Sequence, residues 1–269
     1  MAGQTVLITG GARGIGEALA RAHRGRGDTV VVADLEPTGP DQHRLDVRDR
    51  EAVAQLAQEV VARHGRIDVF HDNAGIAVAG TSAEMTAQHW DDLIDTDLRG
   101  VVHGIDAVYP IMRRQRSGHI VIMGSLAGII PVPAMVPYSA VKAAVVTLGR
   151  ALRVEARRHG VRVTVVCPAF VDTPLLGSFN PDMRPTLANR VGLRLVRQLQ
   201  GPPMDPDRLA AIVLEALPRD PETVLAPRPL AQLAVLGERL APGLVRRASS
   251  LALTRYLTMP VGERTDAQG

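Results

Sequence analysis

Residues 5–16 read TVLITGGARGIG. Thr5 to Thr9 form a short apolar run of the kind that makes a strand buried on both faces, and the following EALARAHRGRG has the pattern of a helix closed by Gly25 or Gly27. Between strand and helix stand Gly10, Gly14 and Gly16. Glycines there let the backbone turn tightly and come close to a pyrophosphate lying at the positive end of the helix, which is the geometry a dinucleotide needs. The glycine spacing alone is a weak signal, and the strand before it and the helix after it make it a strong one.

The rest of the chain repeats the alternation. DTVVVAD is a second buried strand. Residues 49–65, DREAVAQLAQEVVARHG, carry apolar side chains at 53, 56, 60 and 61, as an amphipathic helix does, and Gly65 stops it. RIDVFHDNAG is a further strand ending in a glycine turn, and a helical pattern from His89 to Arg116 leads to the strand GHIVIMGS. A helix around YSAVKAAVVTLGRALRVEARRHG leads to VRVTVVCPAF. The helix DPDRLAAIVLEALP and the edge strand ETVLAP follow. Strands and helices in strict alternation imply parallel strands joined by right-handed crossovers, so an α/β, doubly wound open sheet with helices on both faces is expected. Periodicity fails between 170 and 204, where a long loop with some helix is expected to act as a lid or binding segment.

Composition narrows the possibilities. The chain has 269 residues, 46% of them hydrophobic and only 3% aromatic, which suits one core of Val, Leu, Ile and Ala. A single cysteine, Cys167, and no secretory pattern at the N-terminus point to a cytoplasmic location. No apolar run reaches the roughly 18 residues that span a bilayer. The eight histidines lack paired ligand spacing, so no metal is expected. The net charge of +3 comes from the tail, because residues 227–259 hold five arginines and one glutamate. The remainder carries no basic and aromatic surface pattern for nucleic acid.

Residues at the carboxyl ends of the strands are the candidate site. Asp34, at the end of the second strand, can accept hydrogen bonds from ribose hydroxyls and would repel a 2′-phosphate, favouring NAD over NADP. Arg13 is the contrary hint, since a guanidinium can pair with that phosphate. Asp46 and Val47 follow a short third strand, and Asn73, Ala74 and Gly75 follow the fourth. Ile15 and Leu35 belong with these as expected cofactor contacts.

Lys142 is the one lysine among 31 basic residues. It stands one helical turn after Tyr138, so an ammonium and a phenol share a helix face. The cation is expected to lower the Tyr138 pKa toward working pH and make it a general acid/base. A compact ammonium can also donate to several hydroxyls where a planar guanidinium has a different reach. Ser125, ending the strand HIVIMGS, puts a hydroxyl at the same edge, where it can steady a substrate oxygen.

TGGARGIG, DNAG, Ser125, YSAVK and CPAFVDT together resemble the short-chain dehydrogenase/reductase family, over residues 4 to about 226. The resemblance implies a seven-stranded Rossmann-like sheet, a nicotinamide cofactor and a Ser-Tyr-Lys site. Tyr138 would exchange the proton and Lys142 would hold the ribose. Pro168, Val171 and Thr173 would meet the nicotinamide end. It also implies a homo-oligomer, a dimer or tetramer. Two departures bear on the site. Asp97 replaces the asparagine usual in the family, at a position associated with a proton-relay water, and Asp72 replaces the first residue of the usual NNAG.

The expected organisation is therefore a dinucleotide-binding catalytic domain over 1–226 and an amphipathic helical extension over 227–269. An extension decorated with arginine can lie weakly on an anionic membrane surface, cover the substrate pocket or reach a neighbouring subunit, and helices packed on their own domain or on a subunit partner are the expected arrangement. The expected activity is NAD-dependent interconversion of a secondary alcohol and a ketone. A hydrophobic substrate is expected from the apolar segments at 131–136 and after Thr173. The alternatives are an NADPH-dependent carbonyl reductase and a dinucleotide-binding protein without turnover; the intact Ser125, Tyr138 and Lys142 speak against the latter.

Overall fold

The computed structural model describes residues 3–189, Arg194, Arg197 and 201–258. Among them, seven strands form one parallel sheet in the order β3-β2-β1-β4-β5-β6-β7. The strands are β1 (Thr5–Thr9), β2 (Thr29–Asp34), β3 (Gln42–Arg44), β4 (Val69–Asp72), β5 (Gly118–Met123), β6 (Val161–Pro168) and β7 (Thr223–Ala226). The order reverses between β1 and β4, and that switch point opens a crevice at the carboxyl ends of the strands.

Alternation within each strand builds two cores. Leu7, Phe70, Ile120 and Val163 face one side and pack against α2 (Arg50–His64), α4 (Gly100–Gln115) and α5 (Val136–Ala156). Val6, Ile8, Val69, Val121 and Val224 face the other and meet α1 (Gly14–Arg24) and α6 (Pro206–Ala216). Burying both faces of the sheet removes its side chains from water at roughly 25 cal/mol per Å² of apolar surface, so the sheet is the rigid platform on which the loops stand.

Local signals act as their chemistry dictates. Asp49 caps α2 by accepting from Ala52 N, and Gly65 ends it at φ 82°. The helical pattern starting near His89 begins at Ala87 as α3 (Ala87–Leu93), and a π-helical turn, Ile94–Arg99, joins it to α4. That widened turn carries Asp97, which periodicity alone does not reveal. The expected loop at 170–204 holds a 3-10 turn at Pro174–Leu176, while residues 190–193, 195–196 and 198–200 lie outside the described residues. After β7 come α7 (Leu230–Leu240) and α8 (Pro242–Thr258); residues 259–269 of the expected extension lie outside the described residues.

Candidate active site

The glycine turn closes as the spacing requires. Gly10 and Gly14 have φ of 62° and 59°, and a Cβ at Gly16 would stand 2.1 Å from the Gly10 carbonyl oxygen, so a side chain there would displace backbone. A Cβ at Gly14 would meet Thr173 at 3.2 Å, which shows that the segment after β6 closes over the turn. Ile15 flanks the core beneath, and Leu35 is exposed at the rim.

Asp34 sits at the end of β2 with Oδ2 accepting from Ala12 N at 3.0 Å and Oδ1 from Glu36 N at 3.0 Å. These bonds pin the carboxylate beside the turn. The Arg13 guanidinium forms an ion pair with Glu36, so its charge is already answered by a neighbour. Asp46 is held by Arg48 at 2.6 Å, and that pairing keeps its carboxyl below the ordinary range. Val47 is buried, and its carbonyl accepts from His103.

Asn73 braces the glycine turn. Its Nδ2 donates to the Thr9 and Gly10 carbonyls at 3.1 and 3.0 Å, while its backbone N–H reaches the Thr9 hydroxyl at 3.0 Å. The amide thus ties β4 to the glycine turn, and Ala74 packs against Gly10. Thr9 is the residue that sequence reasoning missed. It reads as one more strand residue, and only the β1–β4 pairing brings its hydroxyl to Asn73. Pro168 ends β6, Val171 is buried and Thr173 donates to the Val171 carbonyl, completing the far wall.

The three polar groups converge at the carboxyl end of β5. Lys142 reaches from α5 and donates to the Met123 carbonyl at 3.1 Å, with Nζ 5.7 Å from the centre of the Tyr138 ring. Ser125 lies two residues beyond β5; its hydroxyl accepts from Ala127 N at 3.1 Å and is near enough to the Tyr138 phenol to draw its pKa down. Asp97 is fully buried, its Oδ1 accepting from Ile76 N at 2.8 Å and its Oδ2 3.0 Å from Lys142 Nζ. Oδ2 takes no well-directed hydrogen bond, so the contact is mainly one of charge. Beside Gly75, Asp97 leaves no room for a larger residue: a Cβ on that glycine would meet Oδ2 at 3.0 Å.

Electrostatics correct one expectation. Burial pushes the Tyr138 phenol above its ordinary range; Lys142 and Ser125 oppose this, and Asp97 reinforces it. Lys142 therefore does pull the phenol down, but in the protein alone its pull is outweighed by burial and by a carboxylate. For Lys142 itself, burial favours the neutral amine, yet the neighbouring Asp97 and Tyr138 outweigh it and raise the ammonium. Burial likewise raises Asp97, against the pull of Lys142. Asp72, buried with an unpartnered Oδ2, is pushed well above the carboxylate range by desolvation, with Lys142 acting in the opposite sense.

An apolar cluster packs against Tyr138. Ala134 and Met135 from the segment before α5 meet Leu176 and Phe179 from the segment after Thr173, with Leu253 of α8 packed against them. Sequence reading picked out both segments but not Leu253, because nothing in the tail's periodicity says which surface it covers. Among the described residues no group of His, Cys, Asp and Glu is arranged to hold a metal. No helix among them is long and apolar enough to cross a membrane.

The short chain dehydrogenase family model matches residues 4–184. The chain is 33% identical over 205 residues to the 3-oxoacyl-(acyl-carrier-protein) reductase FabG of Thermotoga maritima, covering 71% of this chain and 83% of that protein. Its fold is similar to a short-chain dehydrogenase structure from Streptomyces avermitilis, with a TM-score of 0.76 and 28% identity over 96% of this chain and 100% of that one. A second neighbour is a Burkholderia phymatum short-chain dehydrogenase/reductase in complex with NAD, at a TM-score of 0.76 and 26% identity over 97% of this chain and 99% of that one.

Proposed function

The chain belongs to the short-chain dehydrogenase/reductase family, and from that premise we propose that it interconverts an apolar secondary alcohol and its ketone with NAD. The observation that carries the reading is the meeting of Ser125, Tyr138 and Lys142 beside an apolar cluster, at the carboxyl edge of the sheet that also holds the glycine turn. The cradle fits a dinucleotide: Gly16 lies too close to Gly10 for any side chain, and Asp34 is fixed beside the turn. Preference for NAD is supported by that carboxylate and by the Arg13–Glu36 pair, which leaves the guanidinium no unanswered charge for a 2′-phosphate. The Burkholderia neighbour binds NAD, which agrees.

In this reading Gly10, Gly14, Gly16, Asp34 and Lys142 hold the cofactor, whose nicotinamide supplies the hydride exchange with the substrate carbon. The chain's own residues move the proton. Ser125 donates to the substrate oxygen and orients it toward the phenol. In reduction the Tyr138 hydroxyl gives its proton to the developing alkoxide; in oxidation the phenolate takes the alcohol proton. The apolar side chains beside Tyr138 keep water from this exchange and give an apolar substrate its contacts.

The raised Tyr138 favours the protonated phenol at neutral pH, the form that reduces a ketone. Similarity to the Thermotoga reductase supports the same direction. The test is a panel of apolar secondary alcohols and ketones with NAD, NADP and their reduced forms, followed by absorbance of the reduced cofactor. Turnover with NAD or NADH and apolar substrates is expected. Turnover confined to the phosphorylated cofactor would overturn the Asp34 argument, and none with any pair would overturn the activity.

A further inference from the structure

The large apolar side chains that the fold leaves in water are not scattered. Of the ten exposed among the described residues, seven are leucines of α7 and α8. Leu233 and Leu240 on α7 are 62% and 75% exposed, and Leu244 and Leu251 on α8 are 64% and 67% exposed. Single exposed leucines are ordinary, but a run of them on two consecutive helices is a surface made to be covered.

Both helices keep their other side on the protein. Ala231 and Val235 of α7 are buried, and Leu253 of α8 packs into the cluster that contains Tyr138 and Phe179. At about 100° per residue, Leu244, Arg247, Leu251 and Arg255 fall within a sector of about 80° on α8. The outward face is therefore leucine flanked by guanidinium. Glu238 is the one acidic residue between Leu230 and Thr258, against four arginines. None of those arginines forms an ion pair among the described residues. The Ser250, Thr254 and Thr258 hydroxyls donate back to the carbonyls of Arg246, Ser250 and Thr254, at 3.0, 3.0 and 2.9 Å. Beyond the arginines, the face thus keeps few polar groups that need an outside partner.

We propose that α7 and α8 dock on an anionic lipid surface, leucines in the acyl boundary and arginines at the headgroups. Charge decides between this occupant and a second copy of the chain. A self-complementary contact would set Arg247 and Arg255 against arginines, with no carboxylate on α8 to answer them, whereas anionic headgroups answer both. Long side chains with apolar stems suit the boundary between lipid and water. Because Leu253 on the inner side of α8 packs into the apolar cluster beside Tyr138, docking brings that cluster close to the lipid. Its significance for substrate supply rests on the reading of Tyr138 given above; the docking itself does not.

The test is flotation of the full chain with vesicles of pure phosphatidylcholine, and with vesicles in which part of it is replaced by phosphatidylglycerol. Binding to the anionic vesicles, weakened by salt, is expected, with little binding to the neutral ones. Arg247→Gln with Arg255→Gln removes two surface charges, each worth about fivefold in affinity near an anionic membrane. Leu244→Gln with Leu251→Gln is expected to cost roughly tenfold or more per leucine. All four positions are exposed, so the variants should retain the circular dichroism of the parent. Failure to float with anionic vesicles would overturn the proposal. So would equal flotation with both compositions, or a dimer that the leucine variants dissociate. Turnover plays no part in the readout, so the proposal and the enzymatic reading fail separately.

Discussion

Replacing Asp97 by Asn should make the site titrate at lower pH. Asparagine keeps an acceptor for Ile76 N and nearly the same volume, so the change is one of charge. With Oδ2 3.0 Å from Lys142 Nζ, and Nζ 5.7 Å from the Tyr138 ring centre, the carboxylate lies no more than about 9 Å from the ring. At an effective dielectric near 20, a unit charge at that distance disfavours the phenolate by about 2 kcal/mol, a little over one pH unit. The pH dependence of kcat/KM for alcohol oxidation reports the free-enzyme pKa. Its acid limb should move down by about one unit in Asp97→Asn. Asp72 is the group that can offset the shift, because it is held up by burial and feels Lys142, so in the variant it can ionise in place of Asp97. Converting both aspartates to asparagine closes that route. The reasoning is refuted if the limb stays in place, or moves upward, in both the single and the double variant.

Asp34→Ser should weaken NAD by about ten- to a hundredfold, the loss of a charged hydrogen-bond acceptor, and should erode preference over NADP; binding titrations with both cofactors check this. His119 is buried on β5, shares a hydrogen bond between its Nε2 and the Thr164 hydroxyl at 2.8 Å, and is pushed by burial down to about 3. The unfolded chain binds this proton below about pH 6.5 and the native one does not until near pH 3, so stability falls as pH drops through that window. Between pH 7 and 5 this histidine alone accounts for about 2 kcal/mol, and urea melts of His119→Leu should show a pH dependence smaller by that amount.

How far the chain can be read without its structure depends on the range of the interaction. TVLITGGARGIG fixes its own conformation, since glycine freedom and strand burial are local, and Tyr138 and Lys142 share a helix face by arithmetic. Asp34 lies at its strand end for the same reason. Other features depend on pairings between distant segments. Asn73 reads only as a cofactor contact, and the bracing bonds from its amide to Thr9 and Gly10 need the β1–β4 register. Asp97 departs from a family pattern, but its contact with Lys142 needs the π-turn and α5 to meet. The sign of the Tyr138 shift could not be read at all from the lysine alone, because burial and a carboxylate from another element oppose it.

The central claim, that the Tyr138 hydroxyl exchanges the substrate proton, is tested most directly by Tyr138→Phe. This variant removes one oxygen from a ring packed against an apolar cluster. Loss of a positioned acid/base costs about 10²- to 10⁴-fold, so single-turnover oxidation should slow by at least that lower figure while the Kd for NAD changes little. A variant that turns over at the parent rate would contradict the account.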